Sequence, residues 1–290
     1  MEGAHKGMRQ TVFLLATMAL ALLLAGGVAQ AIINGEPDTG PNAHPYVGAY
    51  VAKSEGKLLP ICSGTLISPK VFLTAGHCTE IEEKKGRPAY VSFDPTYKPG
   101  ASKLIRVTPY THPKYCTPTP EAKKSCVPPE RPEIVGELPR DVRYDVGVAI
   151  LDKPVSMATY GALPKAGLVD TLREGKRLTV VGYGTTGFGI GYEPPPRPQL
   201  VYSDDRYRAT VRILNPIDPA VDDQLVTTSG VGLGGGGEGS CFGDSGGPLF
   251  VPDQETIVGV TSLADPLCRF QGYYQRMDLP GVLMWVRSFP

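Results

Sequence analysis

Gly243-Asp244-Ser245-Gly246-Gly247-Pro248 sets one serine hydroxyl inside a run of glycines. Without Cβ atoms the chain can turn sharply there, and another backbone can approach its amides closely. Two readings compete for this stretch alone: a Gly-rich β-turn, or a loop that presents Ser245 as a nucleophile. A nucleophilic hydroxyl needs a base to take its proton, a group to orient that base, and N–H donors facing the oxyanion that develops. Whether the rest of the chain supplies those groups decides between the two readings.

Thr74-Ala75-Gly76-His77-Cys78 offers the base, because a free imidazole titrates near pH 6.5 and exchanges protons at neutral pH. Of the four histidines, His5 falls in the first apolar segment, and His44 and His112 each precede a proline as loop residues do. Asp145-Val146-Gly147-Val148-Ala149-Ile150-Leu151 offers the orienting acid, at the mouth of an apolar strand that would bury it. A buried carboxylate is costly unless paired, and a histidine ring N–H is a fitting partner. Taken singly, His77 also reads as a structural loop histidine and Asp145 as a surface acid ending a turn.

Together, in the order His, Asp, Ser, the three local sequences resemble the chymotrypsin/trypsin family of serine endopeptidases, and the resemblance runs from Ile32-Ile33-Asn34-Gly35 through Trp285. It implies an all-β fold of two packed six-stranded antiparallel β-barrels with a short C-terminal helix, one barrel within 32–158 and the other within 159–290. Ser245 then attacks, His77 shuttles the proton, and Asp145 fixes the imidazole tautomer. The backbone N–H groups of Gly243 and Ser245 carry over as the oxyanion hole, and Ser262 as the serine that hydrogen-bonds the aspartate. The family pairing joins Cys62 to Cys78 and Cys241 to Cys268, which leaves Cys116 with Cys126. The family's new amino terminus and its aspartate partner correspond to Ile32 and Asp244. Ala29-Gln30-Ala31, a small-x-small cleavage signal, ends where Ile32 begins, so export and activation are expected to be one event.

The same resemblance maps a primary pocket onto Gly239, Ser240, Ala264 and Gly272. The trypsin aspartate is replaced by Gly239, so an apolar or aromatic residue is expected before the cut bond. Glu238 and Asp265 are nearby acids that would restore a basic preference if they reached the pocket; as solvated loop charges they would not. The family's usual tryptophan in the Gly-x-Gly segment at 182–184 is Tyr183.

The bulk sequence agrees with a β-rich exported protein. Gly (35) and Pro (29) are abundant among 290 residues, and short β-favouring runs alternate with turn residues. Strands are expected at Tyr46–Val51, Gly64–Ser68, Val71–Ala75, Asp145–Leu151, Arg177–Gly182, Tyr207–Leu214, Gln224–Thr228, Leu249–Val251 and Thr256–Ser262, with a short helix from Val282. The Pro-rich stretch from His112 to Arg140 has neither period and reads as a long loop. Lys6 and Arg9 precede an apolar run from Thr11 to about Ala25, so residues 1–31 read as a signal peptide, the rival being an uncleaved anchor. Six cysteines beyond that segment suit disulfides in an oxidising compartment, and their spacing suggests no metal site. No cofactor is expected. A formal net charge of zero without a basic stripe argues against nucleic acid. The expected partners are protein or peptide substrates and proteinaceous inhibitors, met by a secreted monomer with no stable membrane association after cleavage.

Two other classes compete. A catalytically dead relative would usually lack a triad member, and an α/β-hydrolase esterase would need a Gly-x-Ser-x-Gly elbow and the order Ser, acid, His. Neither description fits this sequence.

Overall fold

A computed structural model of the chain describes residues 32–41, 43–54, 56–116, 142–190, 198–202, 204–215, 223–229, 237–252, 255–264 and 268–290. Residues 1–31, most of the long loop with Cys126, the prolines at 194–196, Gly232 to Gly236 and Asp265 lie outside the described residues.

Glu36–Pro37 (β1) is followed by Val47–Ser54 (β2), Lys57–Leu66 (β3) and Val71–Thr74 (β4), then by a helix over Gly76–Lys85 (α1). Ala89–Ser92 (β5), Ile105–Thr111 (β6) and Gly147–Leu151 (β7) complete the first half. These strands close into an antiparallel barrel in the order β2-β3-β4-β7-β6-β5. The second half runs through Arg177–Gly182 (β8), Thr185–Ile190 (β9), Pro198–Tyr202 (β10), Tyr207–Asn215 (β11), Gln224–Thr228 (β12), Pro248–Val251 (β13), Thr256–Ala264 (β14) and Gln271–Arg276 (β15). Here β8 pairs with both β11 and β13, which closes a second ring through β12, β15 and β14, while β9 and β10 form a separate hairpin. Pro280–Val286 (α2) ends the chain with Pro at the first helical turn, where its missing N–H costs nothing. No described helix is long and apolar enough to cross a membrane.

Each barrel closes because alternate apolar side chains need a dry interior and closure leaves no strand edge unpaired. Val47, Leu66, Phe72, Val91 and Val148 fill the first, and Leu178, Val180, Val211, Leu225, Leu249 and Val258 the second. Each such side chain contributes about 1.5–3 kcal/mol on burial. Val181, Phe250 and Val260 of the second barrel pack into the first barrel's cluster, so the halves share a dry seam.

The N-terminal segment is tied to the second barrel. Ile32 is fully buried in its core, Ile33 exchanges two backbone hydrogen bonds with Gly239, and β1 pairs with β11. Asp38 is buried and receives hydrogen bonds from Arg206 Nε (2.7 Å) and the His44 backbone N–H (2.8 Å), with His44 Nδ1 at 2.7 Å. Burial raises the Asp38 pKa, but His44 and Arg206 outweigh it and hold the carboxyl below its ordinary value.

Candidate active site

His77 enters the cleft between the barrels from the first turn of α1, directly after β4. A disulfide from Cys62 on β3 to Cys78 on α1 braces that turn, and Gly86 closes the helix in the left-handed region at φ 58°. Asp145 lies just before β7, with no solvent exposure. Its Oδ2 is 2.8 Å from His77 Nδ1 and receives 2.5 Å from Ser262 Oγ, while Oδ1 accepts the His77 backbone N–H at 2.9 Å. Gln275 Oε1 accepts the Asp145 backbone N–H at 2.8 Å. Three donors thus converge on one carboxylate, which orients the ring and leaves Nε2 as its free nitrogen.

A break in pairing supplies Ser262. The β14–β15 register shifts between Thr261 and Leu263, so Ser262 sits in a bulge, a device that re-aims a side chain out of the normal alternation.

Burial disfavours the charged imidazolium of His77, but the Asp145 carboxylate, by charge and hydrogen bond, and Glu80 beyond it raise its pKa above the ordinary value. Burial likewise pushes Asp145 up, and His77 and Ser262 outweigh it and hold it down. The pair is set to receive a proton on the ring while the carboxylate stays ionised.

Ser245 reaches the same cleft from the other barrel, on the loop before β13. Ser245, His77, Asp145 and Ser262 line one pocket together with Tyr115, Val142, Cys241, Phe242, Leu263 and Ala264. Ser245 and His77 also line a second groove with Ile61, Ile81, Phe242 and Gly243. Among the described residues no hydrogen bond joins Ser245 Oγ to the imidazole; such contacts are often loose before substrate binds. Gly243 and Gly246 carry φ of 94° and 82°, conformations that favour glycine. The backbone N–H groups of Gly243 and Ser245 have no acceptor among the described residues. Thr185 donates to the Phe242 carbonyl through its N–H (2.7 Å) and Oγ1 (2.9 Å). The Gly243 N–H, on the opposite edge of the same trans peptide, is therefore turned away from Thr185.

Asp244 is buried and accepts N–H groups from Gly184 (2.8 Å) and Cys241 (2.9 Å), and no salt bridge reaches it among the described residues. Burial, only partly offset by those two bonds, pushes its pKa up to about 7.

Of the mapped pocket residues, Ala264 lines the pocket that holds Ser245 and pairs across the strands with Gly272. Cys241 is bonded to Cys268. Ser240 Oγ and Tyr274 OH lie 2.9 Å apart, and Gly272 packs against both side chains. Gly239 abuts Ser229. Glu238 is turned elsewhere, accepting the Thr210 N–H at 2.9 Å and lining a different groove. Cys116 is disulfide-bonded, and its backbone exchanges two hydrogen bonds with Arg143, which joins the ends of the long loop beside Tyr115. Cys62, Cys78 and His77 cluster closely enough for a metal, but both sulfurs are consumed in a disulfide. His44 and His112 are structural: His44 lies against Asp38, and His112 is buried and stacked on Tyr144 at 4.7 Å. Gln275, Ser63, Tyr274 and Tyr115 join the site without any local motif that marks them.

Comparison with known proteins accords with this geometry. A family model described as Trypsin matches residues 32–282. Human kallikrein-11 is 27% identical over 270 residues, 90% of this chain and 81% of that protein. A trypsin from Saccharopolyspora erythraea is 28% identical, covering 82% and 88%. The solved structure of human heparin binding protein shares the fold with a TM-score of 0.58 at 17% identity, covering 89% of this chain and 98% of that one. The chain belongs to the trypsin family and is a serine-type endopeptidase.

Proposed function

We propose that the protein is a secreted serine endopeptidase working through Ser245, His77 and Asp145, with a preference for an apolar or aromatic residue before the cut bond. The observation that carries this reading is the wholly buried Asp145 holding His77 by Nδ1 and by its backbone, with the ring lining the same pocket as Ser245. His77 Nε2 takes the Ser245 proton as Oγ bonds to the substrate carbonyl carbon. The Gly243 and Ser245 N–H groups receive the oxyanion. As the carbonyl re-forms, the C–N bond breaks and the amine leaves with the proton from His77. Water, deprotonated by the same ring, then releases the acyl group and restores the Ser245 hydroxyl.

The apolar preference is supported by a pocket wall of Val142, Phe242, Leu263 and Ala264, by small residues at 239, 240 and 272, and by the engagement of Glu238 outside it. Secretion is supported by the signal-like segment 1–31 and the disulfides. The two catalytic halves are assigned to 32–158 and 159–290. We assign the freed Ile32 ammonium to Asp244, with cutting after Ala31 as the activating event. Ile32 holds φ at 60°, a strained value for a β-branched residue, and a chain that begins at Ile32 has no φ there to strain. The active form is taken as a monomer open to proteinaceous inhibitors.

A peptide library varied only at the residue before the cut bond tests the specificity. Cleavage concentrated after Phe, Tyr, Leu or Met is the expected outcome, and cleavage confined to Lys and Arg would contradict it. Sequencing the amino terminus of the active secreted protein tests the processing: a start other than Ile32 removes it.

A further inference from the structure

Each carbonyl of the loop from Phe242 to Ser245 is held, and two of the four depend on one residue of the opposite barrel. Thr185 holds the Phe242 carbonyl, and the Gly247 N–H holds that of Asp244 at 2.8 Å. The other two fall to Ser63, buried on β3 one residue after Cys62. Its backbone N–H donates to the Ser245 carbonyl at 2.8 Å, and its Oγ donates to the Gly243 carbonyl at 3.0 Å. The same Oγ accepts the Tyr183 N–H at 2.9 Å, and the Ser63 carbonyl accepts Thr74 Oγ1 at 2.8 Å. Every polar group of Ser63 is therefore used, within the bracket around the nucleophile.

The side-chain bond has a direct geometric consequence. The Gly243 carbonyl and the Asp244 N–H, which donates to the Cys241 carbonyl at 3.1 Å, are two edges of one peptide plane, so the Ser63 and Cys241 bonds together fix that plane between the two peptides whose N–H groups have no acceptor among the described residues. Rotation of that middle plane would swing one unpaired N–H relative to the other. Gly243, at φ 94° and with no side chain of its own, adds little resistance to such rotation, which is left to the Ser63 and Cys241 bonds.

We propose that Ser63 is a positioning residue for the reaction: its hydroxyl relays a hydrogen bond from Tyr183 N–H to the Gly243 carbonyl and so holds the Gly243 and Ser245 N–H groups in register with a developing oxyanion. The proposal rests on the assignment of those two N–H groups and of Ser245 above. Donors held in advance contribute chiefly in the transition state, so losing the relay lowers kcat and leaves KM nearly unchanged.

The test compares Ser63→Ala, Ser63→Thr and Ser245→Ala with the parent enzyme, each amount normalised by folded fraction. The measurements are kcat and KM on a peptide amide and the inhibition constant of a peptide aldehyde, whose adduct places an oxyanion in the same site. Ser63→Ala is expected to lower kcat by about tenfold or more, to weaken the aldehyde by a similar factor, and to change KM less than about twofold. Ser63→Thr, which keeps the hydroxyl, is expected to recover most of both losses. Unchanged kcat in Ser63→Ala, a loss carried by KM alone, or a loss that Thr fails to recover in folded protein would overturn the role of Ser63. Hydrolysis surviving in Ser245→Ala would overturn the assignment of the site beneath it, which is a separate result.

Discussion

The buried carboxylate of Asp244 makes a quantitative demand on the state of Ile32. Two versions of the chain, both carrying Ser245→Ala to prevent self-cleavage, isolate it: one begins at Ile32, and the other carries a hydrophilic extension joined ahead of Ile32. In the extended chain Asp244 has two backbone N–H partners among the described residues, and its pKa stands at about 7 against an ordinary 3.8. A group whose folded pKa is raised adds stability below its unfolded pKa and loses it as pH rises through the folded one. Stability of the extended chain should therefore fall between about pH 4 and pH 7. About three pKa units at about 1.4 kcal/mol each set an upper bound of roughly 4 kcal/mol for the fall.

In the chain that begins at Ile32, the ammonium offers Asp244 a counter-charge, so this fall should vanish. The free amine titrates near pH 8, and pairing raises its folded value, so the stability it adds persists at neutral pH and is lost on the alkaline side. His77, with its raised pKa, and His112, pushed down to about 4 chiefly by burial and then by Lys114, titrate alike in both chains and cancel in the difference. Urea unfolding from pH 4 to 9 provides the assay. Parallel stability curves for the two chains would refute the reasoning, because they would mean that Asp244 does not sense the Ile32 nitrogen.

Two further substitutions follow from contacts in the site. In Asp145→Asn, an NH2 at the Oδ2 position faces both His77 Nδ1 and Ser262 Oγ, and at Oδ1 it faces the His77 backbone N–H. The ring must then present Nδ1 as acceptor and carry its proton on Nε2, so steady-state assays should show kcat lower by on the order of 10⁴ at neutral pH with KM little changed. Gly239→Asp should not create cleavage after Lys or Arg. A Cβ there would lie 2.1 Å from Ser229 Oγ and 2.7 Å from its Cα, so a loss of about 3 kcal/mol or more in urea unfolding is expected instead, from overpacking and an unpaired buried acid.

The barrels and the cleft were legible because their determinants are local. The apolar strands at 47–51, 71–74, 147–151 and 177–182 are bounded by Gly, Pro and Ser, and the three site motifs are short contiguous stretches. Elements whose reasons lie elsewhere in the chain were not legible. The helix over Gly76–Lys85 has no side-chain cap and no apolar stripe; the Cys62–Cys78 disulfide and the left-handed Gly86 hold it. Pro109 lies inside β6, a position a proline usually weakens, yet it is beyond the last β6 residue that β5 pairs, so it disrupts at most one side. The contacts of Ser63 and Gln275 depend on strand register across the seam, and nothing in Ile61-Cys62-Ser63-Gly64 or Tyr274-Gln275-Arg276 marks them. The bulge that aims Ser262 has no mark in Val260-Thr261-Ser262-Leu263.

The central claim is that Ser245 is the nucleophile and His77 the base that makes it one. Treating the chain that begins at Ile32 with an organophosphorus fluoridate, then mapping the adduct by mass spectrometry, tests it most directly. A single phosphoryl adduct on Ser245, formed in step with the loss of peptidase activity and absent from a folded His77→Ala variant, is the expected result. Activity lost without a Ser245 adduct, or an adduct that forms equally fast without His77, would contradict it.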